Sequence, residues 1–269
     1  MRILGEPNPE SPMSPVLSLT QPFTPRTLNI LRSVLSHAVS HNPHADTRPP
    51  TSANAAVLIP FCNVRSVPGI LLEVRGKTLR THSGEISFPG GRVDVTDKSF
   101  LAAALRETHE ELGISLAHVE VLGEIGPPEI NLRGDMRVWP FVGFVRPECA
   151  PSTAEDDALP SLDLLSLHSE VSPKEVAVAF HLPLATLADP TRCRASLFRE
   201  TRPYTVVDVT DIVETAAGRR LGITGLSCER VTEENRNMDS QRSGRIEVWG
   251  LTGWYLSLLM RALQVHPSP

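Results

Sequence analysis

Apolar residues fall at two different spacings along this chain. Between residues 24 and 38, Leu28, Leu31, Leu35 and Ala38 form one stripe at helical spacing. That stretch opens Thr24-Pro25, an N-cap followed by proline at the first helical position, so a helix is expected there. Residues 55–61 and 70–75 are near-continuous apolar runs bounded by Pro and Gly, as strands are. Helical spacing returns at Leu101, Leu105, Thr108 and Leu112, which would anchor a helix to a core, and Gly113 supplies its stop. Residues 119–125 and 138–145 continue a sheet, and residues 176–182 read as its last core strand, the alternation blurred by alanines. Residues 202–208 look like one strand of an added hairpin. Residues 252–263 read as a core-covering helix with Thr252 as N-cap and Trp254, Tyr255, Leu258, Leu259 and Leu263 on its apolar side.

The polar stretches divide the chain. Residues 1–23 are rich in Pro and Ser and are expected to be disordered or loosely draped, and residues 24–53 to hold the first helix and a linker. Residues 54–265 then form the main domain, with insertions near 149–170 and 185–245. The first insertion is read as a solvated surface loop and residues 214–237 as loop-rich. No internal repeat is visible.

Composition narrows the chemistry. A net charge of −5 without a basic run or a basic-aromatic stripe disfavours polymeric nucleic acid as a partner. No apolar run approaches the roughly 20 residues that span a bilayer, so no membrane partner is expected. Cys62, Cys149, Cys193 and Cys228 lie far apart with no CxxC pair, and read as reduced intracellular thiols. The N-terminal residues match neither a secretory signal nor a mitochondrial presequence well, and the chain ends His-Pro-Ser-Pro, unlike a peroxisomal address. Peroxisome, mitochondrion and cytoplasm all stay open, as does a homodimer.

The densest chemistry lies between Gly90 and Ile114. A Gly90-Gly91 turn precedes a helix ending Arg106-Glu107-x-x-Glu110-Glu111-x-Gly113. Spacings of three and four residues put Glu107, Glu110 and Glu111 on one helical face. Crowded carboxylates repel unless a cation lies between them, and an all-oxygen set suits Mg²⁺ or Mn²⁺. Most glutamate clusters are merely solvated helix faces; the glycine turn ahead of this one favours a metal site.

Gly91, Asp97 and the run Arg106 to Ile114 resemble the Nudix box, the signature of hydrolases that cleave nucleoside diphosphates linked to another moiety. Two positions depart from it. Lys98 stands where an acid is usual, with Asp97 one place earlier, and Thr108 replaces a larger apolar residue. The resemblance implies an α/β fold, the Nudix α/β/α sandwich with a mixed sheet, here carrying an N-terminal helix and a C-terminal extension. It implies metal ligation by Glu107 and Glu111, with Glu110 a further ligand or the base, while Arg106 orients Glu107 and the turn. Gly90 and Gly91 would supply a positive-φ turn and a carbonyl near the metal.

A second resemblance names a substrate. Leu71-Leu72-x-x-Arg75, Arg80, Gly84 and Phe88-Pro89-Gly90-Gly91 are similar to the segment marking the coenzyme A diphosphatase branch, with Glu73 and Gly76 departing from it. Pro173, Glu175-Val176, Phe180, Pro183-Leu184 and the run Trp249 to Trp254 resemble its later landmarks. The implied reaction is hydrolysis of coenzyme A to 3′,5′-ADP and 4′-phosphopantetheine, with Arg75 and Arg80 suited to phosphate contacts. Each arginine could instead be an ordinary surface residue or pair with a box glutamate. Glu175 is an outlying candidate for general base. Rival readings are another Nudix substrate, such as 8-oxo-dGTP, NADH or ADP-ribose, and a catalytically dead ligand-binding module.

Overall fold

A computed structural model describes residues 16–40, 53–76, 84–147, 154–221 and 244–265. The first helix, α1 (Pro25–Ser40), starts where the capping signal puts it. Thr24 Oγ1 accepts from the Thr27 amide and Thr27 Oγ1 accepts from the Thr24 amide, a reciprocal cap that satisfies two otherwise orphaned donors. Leu28, Leu31 and Leu35 are buried as its stripe predicts.

The sheet is built on a long hairpin, β1 (Ala53–Val64) and β2 (Val67–Arg75), turned through Arg65 and Ser66, both at positive φ. Such a turn matches the right-handed twist of the strands it joins. The two strands pair only from Phe61↔Ile70 to the turn. Beyond that they part, and the gap between them is filled by β3 (Ile86–Ser87) on β2 and β4 (Gly90–Arg92) on β1. This fork is the feature that positions the candidate site.

After α2 (Phe100–Leu112) come β5 (Val119–Glu124), β6 (Glu129–Ile130) and β7 (Met136–Val145). β7 runs parallel to β1, from Ala53↔Met136 to Phe61↔Phe144, and the other pairings are antiparallel, so the sheet is mixed. α3 (Leu164–Glu170) leads to β8 (Val176–Pro183), which closes the outer edge of β2. A second sheet of β9 (Cys193–Phe198), β10 (Arg202–Asp208) and β11 (Glu247–Val248) packs against α5 (Gly250–Ala262), while α4 (Thr210–Leu221) packs on β8.

Successive residues of β1 point to opposite faces. Ala55, Ile59 and Phe61 join a core that takes in α1, α4 and α5, while Ala56 and Leu58 meet Ala103 and Ala104 of α2. Cys62, Val64 and Leu71 pack with Leu112 and with Leu167 of α3. Helices therefore cover both faces of a mixed sheet: the expected α/β sandwich.

Four expectations change. Residues 16–23 are not loosely draped: Leu17 and Phe23 are buried, and the Phe23 ring meets Phe61 and Phe144 edge-on. Asn63, buried, bonds the Phe23 amide and carbonyl and the Leu159 carbonyl, tying this segment and the 149–170 region to the core. That region is no plain solvated loop, since it carries α3 with Leu159 and Leu167 buried. Residues 214–221 are helical, because Val213 and Ala216 give α4 an apolar side. α5 begins at Gly250, and Thr252 lies inside it, donating to the Ile86 carbonyl rather than capping. Residues 41–52, Arg80, Cys149 and Cys228 lie outside the described residues.

Candidate active site

α2 is locally over-determined. Ser99 caps it by accepting from the Ala102 amide, and Gly113, at φ 70°, ends it by donating to the His109 carbonyl. Its buried side is not the leucine stripe read from spacing. Ala103, Ala104, Thr108, Leu112 and Glu111 are buried, while Leu101 and Leu105 are half-buried at the flank. Two alanines let the helix approach the sheet closely. Thr108 fits the buried side because its hydroxyl donates to the Ala104 carbonyl at 2.7 Å.

That approach drives two carboxylates into the fork. Glu111 Oε2 accepts from the Gly90 amide at 2.7 Å. Gly90, at φ 151°, lies so close to β1 that a Cβ would stand 2.4 Å from the Ala56 carbonyl oxygen. At Gly91 a Cβ would stand 2.5 Å from the Glu107 carboxylate, so the second glycine is what admits Glu107. Burial pushes the pKa of both Glu107 and Glu111 up from the usual carboxylate range.

Arg106 organises the other side. It donates from Nε and Nη2 to both oxygens of Asp97, each at 3.0 Å, and from Nη2 to the Arg92 carbonyl. Its Nη1 lies 3.0 Å from Glu107 and 2.9 Å from Glu110. Asp97 thus fixes the arginine that in turn fixes the glutamates and the turn. The acid displaced by one place in the sequence stands at the centre of this network.

The structure does not gather the three helix glutamates round one point. Glu110 turns outward onto Arg106 and is half-exposed. In its place stands Glu73 of β2, fully buried. Its Oε1 accepts from Ser87 Oγ at 3.0 Å and lies 3.5 Å from Arg75 Nη1, and the same Nη1 is 3.6 Å from Glu111 Oε1. Glu73 Oε2 is buried without a hydrogen-bond partner. Burial raises the Glu73 pKa foremost; the neighbouring Glu175 and Glu107 carboxylates add to the rise, against Arg75 and Ser87. Sequence reading noted Glu73 only as a departure. Its signal was a lone acid inside the apolar run Ile70-Leu71-Leu72-Glu73-Val74.

A cavity of about 340 Å³ opens beside the fork. Arg75, Ser87, Gly90, Gly91 and Arg92 form one wall, Arg133 and Asp135 another, and Trp249, Leu251 and Tyr255 an apolar side. Tyr255 fixes that side, accepting from the Glu129 amide and donating to the Val138 carbonyl.

Residues 53–180 match the model of the NUDIX domain. This segment is similar to the NUDIX domain. Similar proteins carry the name uncharacterized Nudix hydrolase NudL. That of Enterobacter sp. (strain 638) is 41% identical over 131 residues, 49% of this chain and 57% of the relative. That of Shigella flexneri serotype 5b (strain 8401) is 39% identical over 143 residues, 53% and 64%. The chain spans less than two thirds of the length of these relatives. Among solved structures, the NUDIX domain of Shewanella oneidensis NrtR, complexed with ADP ribose, aligns with a TM-score of 0.32 and 16% identity over 56% of this chain and 83% of that one. A MutT/nudix family protein from Enterococcus faecalis aligns at 0.34 and 18% over 67% and 62%. These two likenesses are too low to carry any argument about the site.

The NUDIX domain that residues 53–180 resemble implies a divalent cation, and the residues here fit it. The donors are all carboxylate oxygen, three of the carboxyls are disfavoured as anions by burial, and one oxygen lacks a partner. Among the described residues no three His, Cys, Asp or Glu side chains are yet close enough to enclose an ion. Arg75 supplies the counter-charge between Glu73 and Glu111 instead. No helix among the described residues is long and apolar enough to cross a membrane.

Proposed function

We propose that this chain hydrolyses the diphosphate of a nucleoside diphosphate derivative, with coenzyme A or its thioesters as the preferred class. The observation that carries the reading is the position of Glu107 and Glu111. The Gly90-Gly91 turn holds both at the fork, beside a cavity walled by Arg75, Arg92 and Arg133. Glu107 and Glu111 would hold Mg²⁺ or Mn²⁺, with Glu110 able to join them by swinging off Arg106. A cation held there would supply charge neutralisation to the diphosphate and a lowered pKa to a water.

The chain's own residues do the rest. Arg75, Arg92 and Arg133 offer planar donors to phosphate oxygens. Arg106 and Asp97 keep Glu107 and the turn in register. Glu175, whose carboxylate acts on both Glu73 and Glu107, is a candidate to accept the water's proton. The apolar wall of Trp249, Leu251 and Tyr255 suits a long, uncharged arm beyond the diphosphate, which favours coenzyme A over compact nucleotides. Arg80, suited by resemblance to phosphate contact, lies outside the described residues.

Incubation of purified protein with coenzyme A, acetyl-CoA, NADH, ADP-ribose and 8-oxo-dGTP, with Mg²⁺ and then Mn²⁺, tests this. Dominant release of 4′-phosphopantetheine is the expected result. Preference for another diphosphate would replace the coenzyme A reading, and no turnover of any substrate would leave a ligand-binding module.

A further inference from the structure

Arg75 stands in two places at once. Its Nη1 lies between Glu73 and Glu111, and its side chain also forms part of the cavity wall. The two ion-pair distances, 3.5 and 3.6 Å, are at or beyond the limit of a hydrogen bond. The guanidinium is therefore held by charge more than by directional bonding. Each carboxylate, meanwhile, keeps one oxygen committed elsewhere. Glu111 Oε2 is fixed by the Gly90 amide, and Glu73 Oε1 is shared with Ser87. Glu111 Oε1 faces the arginine, and buried Glu73 Oε2 faces no donor at all. Two carboxylates so buried are costly without a counter-charge, and one monovalent guanidinium meets only part of that need.

We propose that Arg75 is a built-in stand-in for the divalent cation. Cation binding at Glu111 displaces it, with Glu73 retained as its tether, and the released guanidinium turns to the substrate diphosphate at the cavity wall. This rests on the cation reading given above and adds an order to it. The protein without metal keeps its phosphate-binding arginine occupied, and metal entry makes that arginine available. Glu73 acts as a positioning residue: it keeps Arg75 beside the cavity after Glu111 has exchanged partners. An apolar or small polar residue in its place would leave Arg75 free of that restraint.

The test is Mn²⁺ binding to the substrate-free protein, read by electron paramagnetic resonance at pH 8, alongside substrate KM. In Arg75→Gln the competitor is gone, so Mn²⁺ should bind roughly three- to fivefold tighter, the upper scale of one ion pair with a part-exposed partner. KM for the substrate identified in the panel should rise in the same variant. Opposite movement of the two constants is the signature, because simple damage to the site would weaken both. Arg92→Gln controls for loss of nearby positive charge and should leave Mn²⁺ affinity within about twofold, since its exposed guanidinium contacts no carboxylate of the pair. If Arg75→Gln does not fold, Arg75→Lys carries the test, with the same directions and smaller size. Unchanged or weaker Mn²⁺ binding in the Arg75 variants, or an equal gain in Arg92→Gln, overturns the inference while leaving the cation site standing. A wild-type protein that binds no Mn²⁺ would instead remove the cation reading, and this inference with it.

Discussion

Single atoms decide how Glu107 and Glu111 are held. Gly91→Ala would place a Cβ 2.5 Å from the Glu107 carboxylate and displace it. Turnover should fall by up to about 100-fold, the cost of a displacement near 1 Å at a reacting centre. The melting temperature should change little, because the strain is relieved by moving a half-buried side chain. Glu111→Gln makes the complementary test. The amide oxygen can still accept from Gly90, so circular dichroism and melting should stay near wild type while turnover drops by more than about 100-fold. Near-wild-type activity would remove Glu111 from the site. At this scale the sequence was legible where chemistry is local. The glycine pair and helix glutamates announce themselves by spacing, and Asp97 by its displaced position. Glu73 was not legible, because its surroundings come from separate segments: Arg75 shares its strand, but Ser87 comes from β3 and Glu111 from α2. The outward turn of Glu110 is likewise set by Arg106 and not by helical spacing.

Among elements, the pairing partners explain most differences between expectation and structure. β1 runs two residues earlier and three later than its apolar core suggests, because β7 and β2 take up its backbone groups at either end. The second sheet shows how residues beyond 180 reach the cavity. Arg202 of β10 donates to both oxygens of fully buried Glu129 at 2.5 and 3.1 Å. Its guanidinium lies 4.8 Å from the Phe198 ring centre and 4.6 Å from that of Trp254, two rings stacked at 4.9 Å. This latch braces the segment after β6 that forms the Arg133 wall. Arg202→Leu removes the two-pronged partner of buried Glu129 and should cost about 3–5 kcal/mol in urea denaturation. Adding Glu129→Leu should restore much of that, since the pair and not either residue is what burial tolerates. The hairpin strand was legible in the sequence; its bond to β6 was not, because nothing local in Arg202-Pro203-Tyr204 names a partner 73 residues away.

For the molecule as a whole, acid is the condition that tests the core. His181 of β8 is buried, and desolvation drives its pKa down to about 4, against a hydrogen bond with the Cys62 backbone that raises it. The unfolded chain takes up this proton below pH 6.5, while the folded chain refuses it until about pH 4. Stability from this group is therefore complete above pH 6.5 and is lost as pH falls toward 4, by roughly 3 kcal/mol in all. His181→Asn should flatten the stability profile between those values relative to wild type; parallel profiles would exclude His181 as the source.

The reach of the two end helices has a consequence for how the protein is made. Leu263 accepts from the Val16 amide, and Tyr255 of α5 braces Glu129 and Val138. The ribosome releases α1 and the fork long before α5 exists; at about 5–20 residues per second the delay is on the order of ten seconds or more. During that interval the face of the sheet destined for α5 is uncovered. Nascent chains stalled before residue 250 should be digested readily by protease, and those that expose residue 265 should resist.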